Sequence, residues 1–178
     1  MDDGLEFPTV AALLQAFGQG RLTPEAATEA ALARIGATEP ALNAFQLVDE
    51  DGARQAANAS ALRWAEGRPL GPLDGIPLTI KDIVATKGWP TLSGSLTEDS
   101  NGPWEEDAPA VARLREAGAV ILGKTTTPEF GWKGMTDSPL AGITRNPWNT
   151  AHTPGGSSGG AAASLAAGVG AIAYGTDG

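Results

Sequence analysis

Apolar positions in the first third of the chain recur with a helical rhythm. Val10, Leu13, Leu14 and Phe17 share one face of a short helix that Gly18 and Gly20 stop. Thr23-Pro24-Glu25-Ala26 predicts a second helix start, a hydroxyl cap followed by proline at the first helical position. That helix runs through Ala30, Leu32 and Ile35 toward Glu39-Pro40. Ala44-Phe45-Gln46-Leu47-Val48 alternates as a strand does. From Asp49 the helical rhythm returns, through Ala56, Ala59, Leu62 and Trp64 to Gly67. This region reads as a packing layer.

Beyond it the period shortens and turns multiply. Gly71-Pro72-Leu73-Asp74-Gly75-Ile76-Pro77 leads into an apolar strand from Leu78 toward Ile83, which Pro77 can open but not occupy internally. Asp107-Ala108-Pro109-Ala110 starts a helix through Val111, Leu114 and Arg115, closed by Gly118, and Ala119-Val120-Ile121-Leu122-Gly123 follows as a short buried strand. Strand–helix–strand order of this kind predicts α/β layering around a largely buried sheet. A glycine- and proline-broken stretch then reaches Thr153-Pro154-Gly155-Gly156-Ser157-Ser158-Gly159-Gly160, followed by a small-residue helix over Ala161 to Ala167. The end, from Val169 to Gly178, reads as a strand running into a turn; the strand from Val169 to Gly175 would lack neighbours and leave an exposed edge.

Composition narrows the function classes. The chain has 178 residues with a net charge of −9, so it carries no basic face for a nucleic-acid backbone. It has no cysteine, which excludes disulfides and thiolate metal sites and fits a reducing compartment. No apolar run approaches the roughly 18 residues that span a bilayer, and Met1-Asp2-Asp3-Gly4 does not begin a signal peptide. A soluble cytoplasmic protein with no membrane partner is the expectation, and an exposed sheet edge would allow a homodimer.

Three features can carry chemistry. The glycine-rich serine loop brings backbone N–H groups and two hydroxyls to a helix start, a place to hold negative charge or a reacting hydroxyl. Its spacing also fits the G-x-S-x-G nucleophile elbow, but the residues before it read as loop and the one histidine, His152, precedes the serines. It lacks the Gly-Lys-Ser/Thr of a phosphate-binding P-loop, and the hydroxyls could simply cap the next helix. Lys81 ends an apolar strand, where desolvation would favour a neutral amine able to accept a proton; the ordinary alternative has its head reaching water. His152, in an exposed-looking loop, reads as surface. Asp99, Glu105, Glu106 and Asp107 read as a solvated loop without the spacing of a metal cage, and the five tryptophans read as packing.

These segments together resemble the amidase signature family. The resemblance rests on Gly71 to Asp82 around Lys81, on Ala108 to Phe130 with Gly118-Ala119-Val120-Ile121-Leu122-Gly123-Lys124-Thr125 and Pro128-Glu129-Phe130-Gly131, and on Asn146-Pro147-Trp148-Asn149 through the serine loop to Gly175-Thr176-Asp177. It implies an α/β amidase signature fold, a mixed β-sheet core covered by helices. Residues 1–178 would form the N-terminal part of one such domain, with 1–69 as a helical layer and 70–178 as the start of the catalytic core. It implies Lys81 as catalytic lysine, Ser157 as the bridging serine with a cis peptide bond, and Gly178 as the first oxyanion donor after Asp177. No metal or cofactor is implied, and the partner is a small-molecule amide whose C–N bond is hydrolysed through a serine acyl-enzyme. The nucleophilic serine is expected in a Gly-Gly-Ser run shortly past Gly178, so a chain ending there would be inactive by itself. Gly131 to Thr136 would line one wall of the substrate site. Pro128-Glu129-Phe130, where tRNA amidotransferase glutaminase subunits usually carry Asp-Glu-Phe, points to a free-standing amidase. The alternatives are the glutaminase subunit of such an amidotransferase, an α/β-hydrolase esterase and a noncatalytic scaffold.

Overall fold

The computed structural model describes residues 9–177. Helix α1 spans Val10–Gly18 and buries Leu13 and Phe17, with the Thr9 hydroxyl accepting from the Ala12 amide. Helix α2, Pro24–Leu42, starts at the Thr23 cap as its sequence dictates, but passes through Pro40 instead of ending there. Its last turn buries Leu42 before Asn43 breaks it in the left-handed region. The Glu39 carboxylate then accepts from the amides of Ala44 and Phe45 at 2.9 and 3.0 Å, joining α2 to strand β1, Phe45–Val48. Helix α3, Glu50–Ala65, is capped by Asp49.

Strand β2 is Pro77–Lys81, shorter than the alternation suggests because Asp82 and Ile83 fold into a turn closed by the Val84 amide on Lys81 O. Helix α4 is Pro109–Glu116, β3 is Val120–Thr125, and a small hairpin pairs β4, Asp137–Ser138, with β5, Gly142–Ile143. Helix α5 covers Gly159–Ala166 and β6 covers Ile172–Tyr174. The final strand begins later than expected, since Gly168 and Gly170 both sit at positive φ. A Cβ on Gly170 would lie 2.7 Å from Pro77 O, so the chain can cross β2 there only without a side chain.

The main sheet has the order β1-β3-β2-β6, with β1 antiparallel to β3 and the other pairs parallel. It is therefore the mixed sheet expected. β6 does not lack neighbours: it pairs with β2 along one side. Helices α2, α3 and α5 pack on one face around Ala31, Leu32, Ile35, Ala53, Leu122 and Ala163. Helix α4 covers the other through Val111 against Leu78, Ile80 and Ile121. β1 comes from the first third of the chain, so the helical layer and the later strands share one sheet.

Leu122 is fully buried at the centre of the first cluster. Leu122→Ala is expected to cost about 2–5 kcal/mol through lost burial and the cavity left behind, read as a lower urea midpoint. A loss below about 1 kcal/mol would mean that this layer collapses onto the vacancy.

Some side chains depart from their sequence reading. Asp107 is no solvated acid, for its carboxylate accepts from the Lys87 amide at 2.7 Å and from Arg115 Nε at 3.0 Å. Trp132 and Trp148 are exposed rather than packed, whereas Trp64 packs edge-on against Phe17. Among the described residues no helix is long and apolar enough to cross a membrane.

Candidate active site

Side chains alternate across a strand, so Leu78 and Ile80 point into the α4 layer while Thr79 and Lys81 point to the opposite face. Lys81 therefore leaves the end of β2 toward the loop ahead of α5. It is completely buried, and the reading in which its head reaches water is overturned. Its Nζ donates to Ser157 Oγ and to Thr176 Oγ1, both at 2.7 Å. Both partners are neutral hydroxyls, so burial alone drives the lysine below its ordinary value of 10.5.

The Gly156–Ser157 peptide bond is cis. The serine loop is held from below by the segment 131–136. Thr136 Oγ1 donates to Gly155 O at 2.8 Å and accepts from the Gly159 amide at 3.0 Å. A Cβ on Gly156 would lie 2.8 Å from Met135 backbone atoms, which explains a glycine there. Gly131, at φ +70°, lies beside the pair: a Cβ built on it would lie 3.7 Å from Ser157 Oγ and 3.9 Å from Lys81 Nζ.

Ser158 does not cap α5 with its hydroxyl, contrary to the simplest reading of the loop. Its Oγ donates to Thr176 O at 3.0 Å and accepts from the Thr176 amide at 3.1 Å. The serine loop and the segment after β6 are thus pinned together, and Thr176 is pinned at the height of Lys81. In sequence Thr176 is only the middle of Gly175-Thr176-Asp177, and nothing local signals its bond to the lysine. The early α5 amides are also partly taken, with the Gly160 amide on Thr126 O at 3.3 Å, so this helix start is less free to hold an anion than its glycines suggest.

A cavity of about 330 Å3 opens over this cluster, lined by Gly156, Ser157, Ser158, Gly159, Thr176 and Asp177. Ser157 lines this cavity, and the buried Lys81, which is not among its lining residues, reaches Ser157 through the 2.7 Å hydrogen bond. Gly178, the expected oxyanion donor, lies outside the described residues. His152 stays exposed, and the residues between β5 and the serines are loop rather than the strand a nucleophile elbow needs. Among the described residues no group of histidine and carboxylate side chains forms a metal cage.

A mixed sheet that buries a lysine beneath a glycine-rich double-serine loop defines a class of α/β protein by its site as much as by its strands. The chain belongs to the amidase signature family: a family model described as Amidase matches residues 26–178. It is 48% identical over 157 residues to a glutamyl-tRNA(Gln) amidotransferase subunit of Acidothermus cellulolyticus, covering 88% of this chain and 31% of that protein. It is 44% identical over 163 residues to the indoleacetamide hydrolase of Bradyrhizobium diazoefficiens, covering 91% of this chain and 31% of the relative. The crystal structure of the peptide amidase from Stenotrophomonas maltophilia superposes with a TM-score of 0.86 at 37% identity, over 93% of this chain and 35% of that one. The chain thus spans about a third of the length of these relatives.

Proposed function

We propose that the intact protein is an amidase, cleaving a carboxamide C–N bond through a serine acyl-enzyme, and that residues 1–178 contribute the lysine and the bridging serine from one catalytic domain. The observation that carries this reading is the fully buried Lys81 Nζ at 2.7 Å from Ser157 Oγ. A neutral amine in that position keeps a lone pair for the Ser157 proton while an N–H still donates to Thr176. As the nucleophilic serine past Gly178 attacks the amide carbon, its proton moves to Ser157 Oγ and the Ser157 proton moves to Lys81 Nζ. When the C–N bond breaks, the ammonium returns a proton through Ser157 to the departing nitrogen. Water then attacks the ester carbonyl, giving its proton to the same relay, and the acid leaves as the serine is reprotonated. Backbone amides after Asp177, Gly178 first, stabilise the oxyanion. Residues 131–136 form one wall of the substrate site.

The similarity to tRNA amidotransferase subunits favours a second reading, a glutaminase that feeds ammonia to partner proteins. One experiment tests both. Ammonia release from simple carboxamides by the purified intact protein, abolished by Lys81→Met, supports the free-standing amidase. Release from glutamine alone, and only with partner proteins present, supports the glutaminase. No release under either condition overturns the amidase reading.

A further inference from the structure

Beside the lysine of the relay lies a second buried lysine with a carboxylate partner. Lys124 is fully buried, Asp82 is 1% exposed, and Lys124 Nζ sits 2.9 Å from Asp82 Oδ1. Alternation along β3 would turn Lys124 to the face of Val120 and Leu122. An irregularity in the pairing prevents this: Leu78 lies opposite Ile121, but Ile80 lies opposite Lys124. The extra residue re-aims Lys124 to the face that Asp82 occupies. Burial pushes the Asp82 carboxyl up and the Lys124 ammonium down, and each is opposed by the charge of the other.

Such a pair is a poor stabiliser, because apolar residues of similar volume generally do as well. What distinguishes this one is where its other contacts go. Lys124 Nζ donates to Pro90 O at 3.2 Å and to Thr91 Oγ1 at 2.8 Å, and Asp82 Oδ2 accepts from the Leu92 amide at 3.3 Å. The Ser93 amide donates to Asp82 O at 2.9 Å. Pair and backbone together thus grip four consecutive residues, 90–93.

That short loop contacts the segment 127–131, which passes beside the relay. Ser93 lies at φ +53° and its carbonyl accepts from the Phe130 amide at 2.7 Å. Gly94 meets the backbone of Thr127 so closely that a Cβ would lie 2.6 Å from its carbonyl oxygen. Phe130 leads directly to Gly131, which lies beside the relay: a Cβ built on it would come within 3.7 Å of Ser157 Oγ and 3.9 Å of Lys81 Nζ. The other end of the chain of contacts is Asp82 itself, the residue after Lys81.

We propose that Asp82 and Lys124 are positioning residues: their buried pair fixes the 90–93 loop, and through Phe130 and Gly131 it sets the distance between Lys81 and Ser157. This rests on the relay described above. Neither residue touches substrate.

The test compares turnover of a carboxamide and of the p-nitrophenyl ester of the same acid in the intact protein. An amine leaves only with a proton from the relay, whereas nitrophenolate leaves without one. The double variant Asp82→Leu/Lys124→Met replaces the pair by apolar groups and is expected to unfold cooperatively near the wild-type temperature. Its amide-to-ester ratio is expected to fall by about 100-fold, the effect of a misplacement on the order of 1 Å. Thr91→Val removes one hydroxyl that receives Lys124, and its ratio is expected to fall roughly tenfold. A folded double variant whose ratio stays within about threefold of wild type overturns the proposal. If the double variant does not fold, Thr91→Val decides in the same way. Lys81→Met separates the two levels: if it too leaves the ratio unchanged, the relay is wrong, and if it alone lowers the ratio, only the role of the pair is wrong.

Discussion

Lys81→Met is expected to lower carboxamide turnover by about 10⁴-fold, the upper range for loss of a positioned general base and acid. Methionine keeps most of the stem that fills the site but removes the amine that hydrogen-bonds Ser157 and Thr176. The fold should persist with undiminished thermal stability, because an ammonium no longer has to be desolvated. Activity above about a tenth of wild type would refute the relay. The pH dependence has a definite sign. Burial holds the folded-state value of Lys81 below 10.5, so on the proposed relay the competent neutral form should grow, and kcat/KM should rise, as pH increases through that lowered value. In the window between the lowered value and 10.5 the unfolded chain binds more protons than the folded one. Stability therefore rises with pH across that window, and the penalty of burying the ammonium is present in full below it. Lys81→Met should remove both this rising limb and this slope.

Ser157→Ala should be the next most damaging change, with carboxamide turnover down by about 10³-fold. In the proposed relay, removing the hydroxyl takes away the atom that would link the attacking serine to Lys81, and it leaves Nζ with Thr176 as its remaining partner of the two. Hydrolysis of the nitrophenyl ester should fall less, because expulsion of that leaving group needs no proton. Combining the two substitutions should add little to the larger single effect, as expected of groups that act as a unit. An additive loss, measured as kcat/KM of the double variant, would separate them into independent roles.

How much of this is legible in the sequence depends on the kind of contact. Thr23-Pro24, Asp49 and the apolar runs at Leu78 and Val120 announce their elements because each rests on local capping or periodicity. Lys81 stands out because a cation ends an apolar strand, yet only tertiary structure shows its head sealed under the serine loop. Helix α2 continues through Pro40 because burying Leu42 outweighs a local stop signal. Ser158 reads as a cap since capping is a local habit of serine, but its partner Thr176 lies 18 residues away. The Asp82–Lys124 pair is hidden for a different reason. A one-residue irregularity in strand pairing reverses the face of Lys124, and strict alternation points it the wrong way.

The long separations within the site also bear on how the protein is made. Ser157 and Thr176 lie 76 and 95 residues after Lys81. At roughly 5–20 residues per second, ribosomal synthesis delivers Lys81 on the order of 5–20 s before its second partner exists. For that interval β2 has no β6 beside it, and its lysine must remain hydrated beside Leu78 and Ile80. The nascent chain therefore presents an unpaired apolar edge marked by one positive charge, a combination in which the charge discourages premature pairing with other chains. The same lysine that is dehydrated in the finished site would thus act, during translation, as the guard of the strand that carries it.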